Sequence, residues 1–192
     1  PSVLKDTDME RAEKGKSYTT MLCDKRIKRG RMDEAGKQQR LDLITPATDN
    51  AAFNGTDLII EAVFEDMGVK RDIFQTLDKV AKQGAILASN TSYLDVNQIA
   101  AATGRPEDVI GLHFFSPANV MKLLEIVRTD HTADDVIATC MDLARTINKI
   151  AVLVGVCPGF VGNRILFARQ AQAQKLVAQG AMPWDVDAAL NA

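Results

Sequence analysis

The chain alternates short apolar runs with longer stretches whose apolar residues recur every three or four positions, the contrast that separates strands from amphipathic helices. Ser2-Val3-Leu4-Lys5 is a short run closed by Asp6-Thr7-Asp8, a helix-capping cluster. From there to Gly30 the chain is rich in Glu, Lys, Arg, Met and Ala and lacks Pro, which predicts a long helix; Asp33 to Leu41 predicts a second. Leu43-Ile44-Thr45 is a brief strand stopped by Pro46, and Asp57 to Val63 is a largely apolar run of strand length, the mark of a strand covered on both faces. Val69, Ile73, Leu77 and Val80 keep helical spacing. Ala85–Ala88 is a strand followed by the polar loop Ser89-Asn90-Thr91-Ser92, and Val96–Ala102 is a short helix. Val109–Phe115 and Leu123–Val127 are strands, Ala133–Ile147 is a helix and Ile150–Val154 a strand. Strands alternating with helices predict an α/β fold, a doubly wound parallel sheet with helices on both faces.

After Cys157-Pro158-Gly159 the texture changes. Phe160 to Gln179 is one helical pattern closed by Gly180, and Pro183 opens another over Trp184–Leu190. Two helices without a strand predict the start of an all-α domain, so residues 1–157 and 158–192 are expected to be separate domains.

Composition narrows the function classes. Among 192 residues, 23 Lys+Arg face 25 Asp+Glu, and this near-balance gives no general reason to expect nucleic acid or an anionic membrane as partner. No apolar stretch approaches the ~18 residues of a membrane span, and the N-terminus carries no signal-peptide core. Cys23, Cys140 and Cys157 are far apart and odd in number, which argues against a disulfide scaffold or a zinc site and for a reducing, cytoplasmic setting. The chain opens on Pro1, straight into a strand pattern, so a segment cut from within a fold is expected.

In an open parallel sheet, ligands gather at the carboxyl ends of the strands, which here are Asp6, Glu65 with Lys70, the loop 89–92, and His113 to Pro117. Asp6 reads either as a helix cap or as the acid that holds an adenosine ribose. The 89–92 loop is either a turn that caps the next helix or a set of hydrogen-bonding groups for a ligand hydroxyl. His113 lies at a strand end in apolar surroundings, whereas His131 sits in a polar turn and reads as a surface residue. Glu125 is the one acid in Met121–Val127, and a carboxylate there is costly unless paired. A His113–Glu125 pair would satisfy both groups; it is either structural or a carboxylate-steadied general base. Lys25, Arg26, Lys28, Arg29 and Arg31 form a basic helix face that is either merely solvated or meets the phosphates of an anionic substrate such as a coenzyme A thioester.

Four ordered segments then carry a resemblance: Ala88-Ser89-Asn90-Thr91-Ser92-Tyr93-Leu94, Ile110-Gly111-Leu112-His113-Phe114-Phe115-Ser116-Pro117, Met121-Lys122-Leu123-Leu124-Glu125-Ile126-Val127, and Cys157-Pro158-Gly159-Phe160-Val161-Gly162-Asn163-Arg164. Together they resemble the L-3-hydroxyacyl-CoA dehydrogenases, above all the dehydrogenase part of multifunctional fatty-acid β-oxidation enzymes. The resemblance implies a Rossmann-type fold, NAD as cofactor, and oxidation of an L-3-hydroxyacyl-CoA to a 3-ketoacyl-CoA. It also implies roles. His113 would be the base and Glu125 its orienting acid, with Ser92 and Asn163 on the reacting oxygen. Asp6 would hold the ribose, and Val63, Phe64, Glu65, Lys70, Ser92 and Ser116 would line the cofactor. Apart from the resemblance, Lys25 and Lys28 of the basic helix face are the candidate substrate contacts. Ser116 stands where the family often has Asn. Other β-hydroxyacid dehydrogenases use a lysine in place of the His113/Glu125 pair.

The departures from the family matter as well. The glycine fingerprint GxGxxG and the strand before it are absent from this sequence, so the main-chain cradle for a pyrophosphate is missing. Loss of that strand is expected to leave open edges beside the strands at 2–5 and 57–63. A homodimer or a multienzyme assembly is implied for the full-length family member, and a catalytically inactive fragment that keeps part of a coenzyme A surface is the alternative.

Overall fold

A computed structural model describes residues 1–191. The fold divides into two compact units, one of Pro1–Thr56 with Lys79–Gln83, the other of Asp57–Asp78 with the chain from Gly84 onward. In the first unit, β1 (Ser2–Lys5) pairs in parallel with β2 (Ile44–Ala47), Ser2 opposite Ile44 and Lys5 opposite Ala47. Between them run α1 (Met9–Lys28) and α2 (Glu34–Asp42). Each helix starts on an aspartate whose carboxylate accepts an N–H of the first turn, Asp8 from Arg11 at 2.9 Å and Asp33 from Gly36 at 2.8 Å. The strand at 44–47 runs through Pro46 where the sequence reading stopped it, because an end strand can dispense with an amide donor.

The second unit carries a five-stranded sheet. It consists of β3 (Leu58–Glu61), β4 (Ile86–Ser89), β5 (Val109–Phe114), β6 (Leu123–Arg128) and β7 (Ile150–Gly155), ordered as in the sequence. Helix α3 (Met67–Val80) links β3 to β4, α4 (Val96–Ala100) precedes β5, and α5 (Asp134–Thr146) links β6 to β7. The chain closes with α6 (Gly162–Ala178) and α7 (Pro183–Asn191). The wholly parallel sheet expected from the element order is corrected at one joint: β5 and β6 are antiparallel. Only the loop 115–122 separates them, with no helix to carry the chain back across the sheet, so a reversal of direction is the geometry available.

Strand alternation assigns the two faces of this sheet. Ile86, Ala88, Ile110, Leu112, Leu124 and Ile126 are buried on one face against Val136, Cys140 and Ala144 of α5. Gly111, His113, Glu125 and Val127 therefore point to the other face, where α4 packs. Gly111 is required there, since a Cβ would stand 2.7 Å from Cβ of Val127. Helices on both faces make the sheet doubly wound, as the pattern predicts. Both β1 and β3 are end strands of their own sheets, and Ile60 on β3 is 42% exposed.

Candidate functional site

The antiparallel register of β5 and β6 sets His113 directly opposite Glu125, so their side chains leave the same face as neighbours. His113 Nδ1 lies 2.7 Å from Glu125 Oε2, with the residues only 3% and 1% exposed. The second carboxylate oxygen, Oε1, accepts the backbone N–H of Val161 at 3.0 Å and of Gly162 at 2.8 Å. Those two amides open α6, which has no capping side chain of its own. Glu125 thus serves the helix as a cap from a distant strand, a favourable place for a negative charge. The approach is made by two consecutive left-handed residues, Gly159 (φ 72°) and Phe160 (φ 49°). A Cβ on Gly159 would meet the Arg164 amide at 3.1 Å. Phe160 is fully buried with its ring 5.6 Å from that of His113, and the Phe115 ring lies 4.4 Å away on a tilt of 45°. An ionised carboxylate can only accept, so Nδ1 carries a hydrogen, and in the neutral ring that leaves the Nε2 lone pair free.

The next residue along α6 joins a second cluster. Asn163 Nδ2 donates to the Ser92 carbonyl at 3.3 Å, while the Ser92 N–H donates to Glu65 Oε1 at 2.6 Å, so the Ser92 backbone is gripped from both sides. Thr91 Oγ1 donates to the same Glu65 oxygen at 2.5 Å, and Lys70 Nζ stands 3.4 Å from its other one. Burial pushes the Glu65 carboxyl up, but the Thr91 hydroxyl, the Ser92 amide and the Lys70 ammonium outweigh it, leaving the group below its usual 4.5. Lys70 is fully buried and donates to Glu61 Oε1 at 2.8 Å. Asn90 Oδ1 accepts the Phe114 amide at 2.9 Å, tying this loop to the strand end beside His113.

His113, Glu125, Ser92, Asn163, Glu65 and Lys70 are therefore linked within one unit by hydrogen bonds that converge on the start of α6 and the carboxyl ends of β3 and β4. Val63 and Phe64 follow β3 and are exposed, Phe64 at 82%, and Ser116 is exposed after β5. Asp6, Lys25 and Lys28 belong to the other unit. Asp6 is not the cap of α1; that is Asp8, and the Asp6 carboxylate accepts the Thr7 amide at 2.6 Å. Lys25 and Lys28 are exposed in the last turn of α1, where positive charge suits the helix end. Sequence reasoning missed Glu61. It shares the run 57–63 with Asp57 and stands where the strand ends, so it lacks the signal of Glu125, the one acid inside its run.

The site thus sets a carboxylate-paired histidine at a strand end of a doubly wound sheet, the place where such sheets gather ligands. Residues 1–157 match the model of the 3-hydroxyacyl-CoA dehydrogenase NAD binding domain and residues 159–192 that of the 3-hydroxyacyl-CoA dehydrogenase C-terminal domain, so the chain belongs to the 3-hydroxyacyl-CoA dehydrogenase family. Among proteins it is 42% identical to the peroxisomal bifunctional enzyme of Cavia porcellus over 100% of this chain and 26% of that protein. It is 39% identical to the glyoxysomal fatty acid beta-oxidation multifunctional protein MFP-a of Brassica napus over 98% and 26%. Among solved structures it superposes on (S)-3-hydroxybutyryl-CoA dehydrogenase PaaH1 from Ralstonia eutropha with a TM-score of 0.92 and 33% identity, covering 95% of this chain and 65% of that one. The dehydrogenase part of multifunctional enzyme 1 from C. elegans gives 0.71 and 32%, covering 98% and 44%. The chain thus spans about a quarter of the length of the curated relatives it matches. No helix among the described residues is long and apolar enough to cross a membrane.

Proposed function

We propose that this chain supplies the base and the nicotinamide-facing wall of an NAD-dependent dehydrogenase that oxidises L-3-hydroxyacyl-CoA to 3-ketoacyl-CoA in fatty-acid β-oxidation. The observation that carries this reading is the buried His113–Glu125 pair, with Glu125 fully engaged and Nε2 of His113 left as a proton acceptor. Nε2 takes the proton of the 3-hydroxyl, and Glu125 stabilises the imidazolium that results. Ser92 and Asn163, already joined, hold the reacting oxygen in line. Bound NAD would supply the acceptor for the hydride of C3. Glu65, Ser92, Ser116 and the exposed Val63 and Phe64, all just past β3, β4 and β5, would line its site within their own unit, and Asp6, in the other unit, is the acid offered to a ribose. Lys70, fully buried against two carboxylates, acts from behind Glu65 rather than on a phosphate. Lys25 and Lys28 are the cations offered to coenzyme A phosphates.

The proposed organisation is a dinucleotide-binding domain over residues 1–157 and the opening of a helical domain over 158–192. The open apolar side chains of α6 and α7, Ile165 and Trp184 among them, would be covered in a homodimer or a multienzyme assembly. The free thiols favour a reducing compartment, the cytoplasm in our proposal; the names of the two relatives above make a peroxisome or glyoxysome the competing location. One observation favours a second reading, a binding fragment without turnover: the sequence holds no GxGxxG turn for a pyrophosphate. Calorimetry with NAD and an acetoacetyl-CoA/NADH assay test both. We expect no NAD heat from the 192-residue chain alone and turnover once a preceding strand and glycine turn are joined to it. In that active form His113→Ala lowers kcat about 100-fold or more; retained turnover would remove His113 from the mechanism.

A further inference from the structure

We propose that Glu61, acting through Lys70, is a positioning residue for Ser92, an inference that rests on the dehydrogenase reading for its catalytic consequence. Both carboxylate oxygens of Glu61 are engaged. Oε1 receives Lys70 Nζ at 2.8 Å and the Val63 amide at 2.7 Å, and Oε2 receives Ser89 Oγ at 2.7 Å. The parallel register puts Glu61 and Ser89 side by side at the ends of β3 and β4, and the Glu61 carbonyl accepts the Asn90 amide at 2.8 Å. Glu61 and Lys70 are 4% and 0% exposed, so each is the other's principal counter-charge.

Lys70 is shared. It leans on Glu61 and stands 3.4 Å from Glu65, whose opposite oxygen holds the Thr91 hydroxyl and the Ser92 amide. Two carboxylates share the one ammonium, which sits nearer Glu61 and presents its charge to the second oxygen of Glu65. Remove the Glu61–Lys70 pair, or loosen it, and Glu65 loses the anchored cation that fixes its second oxygen, so its head group is free to turn away from the 91–92 loop. Ser92 then keeps only the 3.3 Å contact from Asn163. The chain of influence runs Glu61, Lys70, Glu65, Ser92, and none of its first three members has to touch the reacting atoms.

The test compares the wild-type 192-residue chain with Glu61→Gln, Lys70→Met and the double variant, which strands no buried charge. Amide exchange at Ser92 is followed by NMR against the urea midpoint of the whole chain. We expect the folded double variant to keep the wild-type midpoint while Ser92 exchanges about tenfold faster or more and the His113 and Ile126 amides do not change. If the charged variants fail to fold, Ser89→Ala frees one Glu61 oxygen without stranding a charge and shifts Ser92 in the same direction by a smaller factor. Unchanged Ser92 exchange in a folded double variant, or in Ser89→Ala where that is the variant that folds, overturns the proposal. In the active form, kcat falls about tenfold in the double variant with KM for the acyl-CoA nearly constant, since alignment and not affinity is lost. Equal kcat in wild type and double variant overturns positioning, whereas faster Ser92 exchange with no wild-type turnover overturns the dehydrogenase reading and leaves the relay standing.

Discussion

Replacing Glu125 by Gln isolates what its carboxylate does, because the two oxygens have different partners. The Val161 and Gly162 amides hold Oε1 at 3.0 and 2.8 Å, and an NH2 group there would face two donors. The amide oxygen of Gln must therefore take that place, which turns its NH2 toward His113. Nδ1 then has to accept, and the ring hydrogen moves to Nε2, the atom that should receive the substrate proton. The fold loses little, about 1–2 kcal/mol as a charge-assisted hydrogen bond becomes a neutral one. Catalysis loses much more, about 10²–10⁴ in kcat, because the base is blocked by its own hydrogen. Glu125→Ala does the reverse, leaving the buried His113 donor and two part-buried amides without their acceptor and costing about 2–4 kcal/mol of stability. The ring nitrogen chemical shifts of His113 report the tautomer directly, with urea midpoints measured on the same samples. A Gln variant whose Nδ1 still bears the hydrogen, or whose kcat matches wild type, would refute the reasoning.

Three further outcomes are expected. Because Glu65 is held below its usual 4.5 in the folded chain, its contribution to stability is present above that pH and is lost as pH falls through the folded value; urea midpoints should drop less steeply between pH 5 and about pH 3 in Glu65→Gln than in wild type. Burial lifts the Cys140 thiol to about 11 and Cys23 is also buried, so at pH 8 Ellman's reagent should modify Cys157 first in the native chain and all three thiols in denaturant. Gly111→Ala drives a methyl group to 2.7 Å from Val127 and should lower stability by about 1–3 kcal/mol, read as a fall in Tm; an unchanged Tm would mean that β6 can shift.

The sequence showed the seven strands and seven α-helices of the described residues in order: apolar runs and helical spacing marked the elements that pack on the large sheet, while composition and capping residues marked α1 and α2, the latter burying no residue. It also paired His113 with Glu125, since two polar groups in apolar runs have few other ways to be satisfied. The direction of β6 was not visible, because a short apolar run reads the same forwards and backwards and only the missing crossover helix reveals the reversal. Asp6 and Asp8 are equivalent as letters, and the backbone angle at the start of α1 decides that Asp8 caps it. The relay through Glu61 was overlooked for a different reason. A single acid at the end of an apolar run resembles a strand terminus meeting water, and only the packing of α3 brings Lys70 over it.

The way Glu125 divides its two oxygens has a consequence for timing. One keeps the imidazole in its proton-accepting form, while the other is held by the first amides of α6, whose neighbour Asn163 reaches Ser92. Lifting that helix would break the Asn163 contact to Ser92 and free one carboxylate oxygen in a single movement, so under the proposed function a competent base and a seated helix would form an interlock. A site wired this way would be armed only when the helical segment is docked, which keeps proton abstraction from running ahead of assembly.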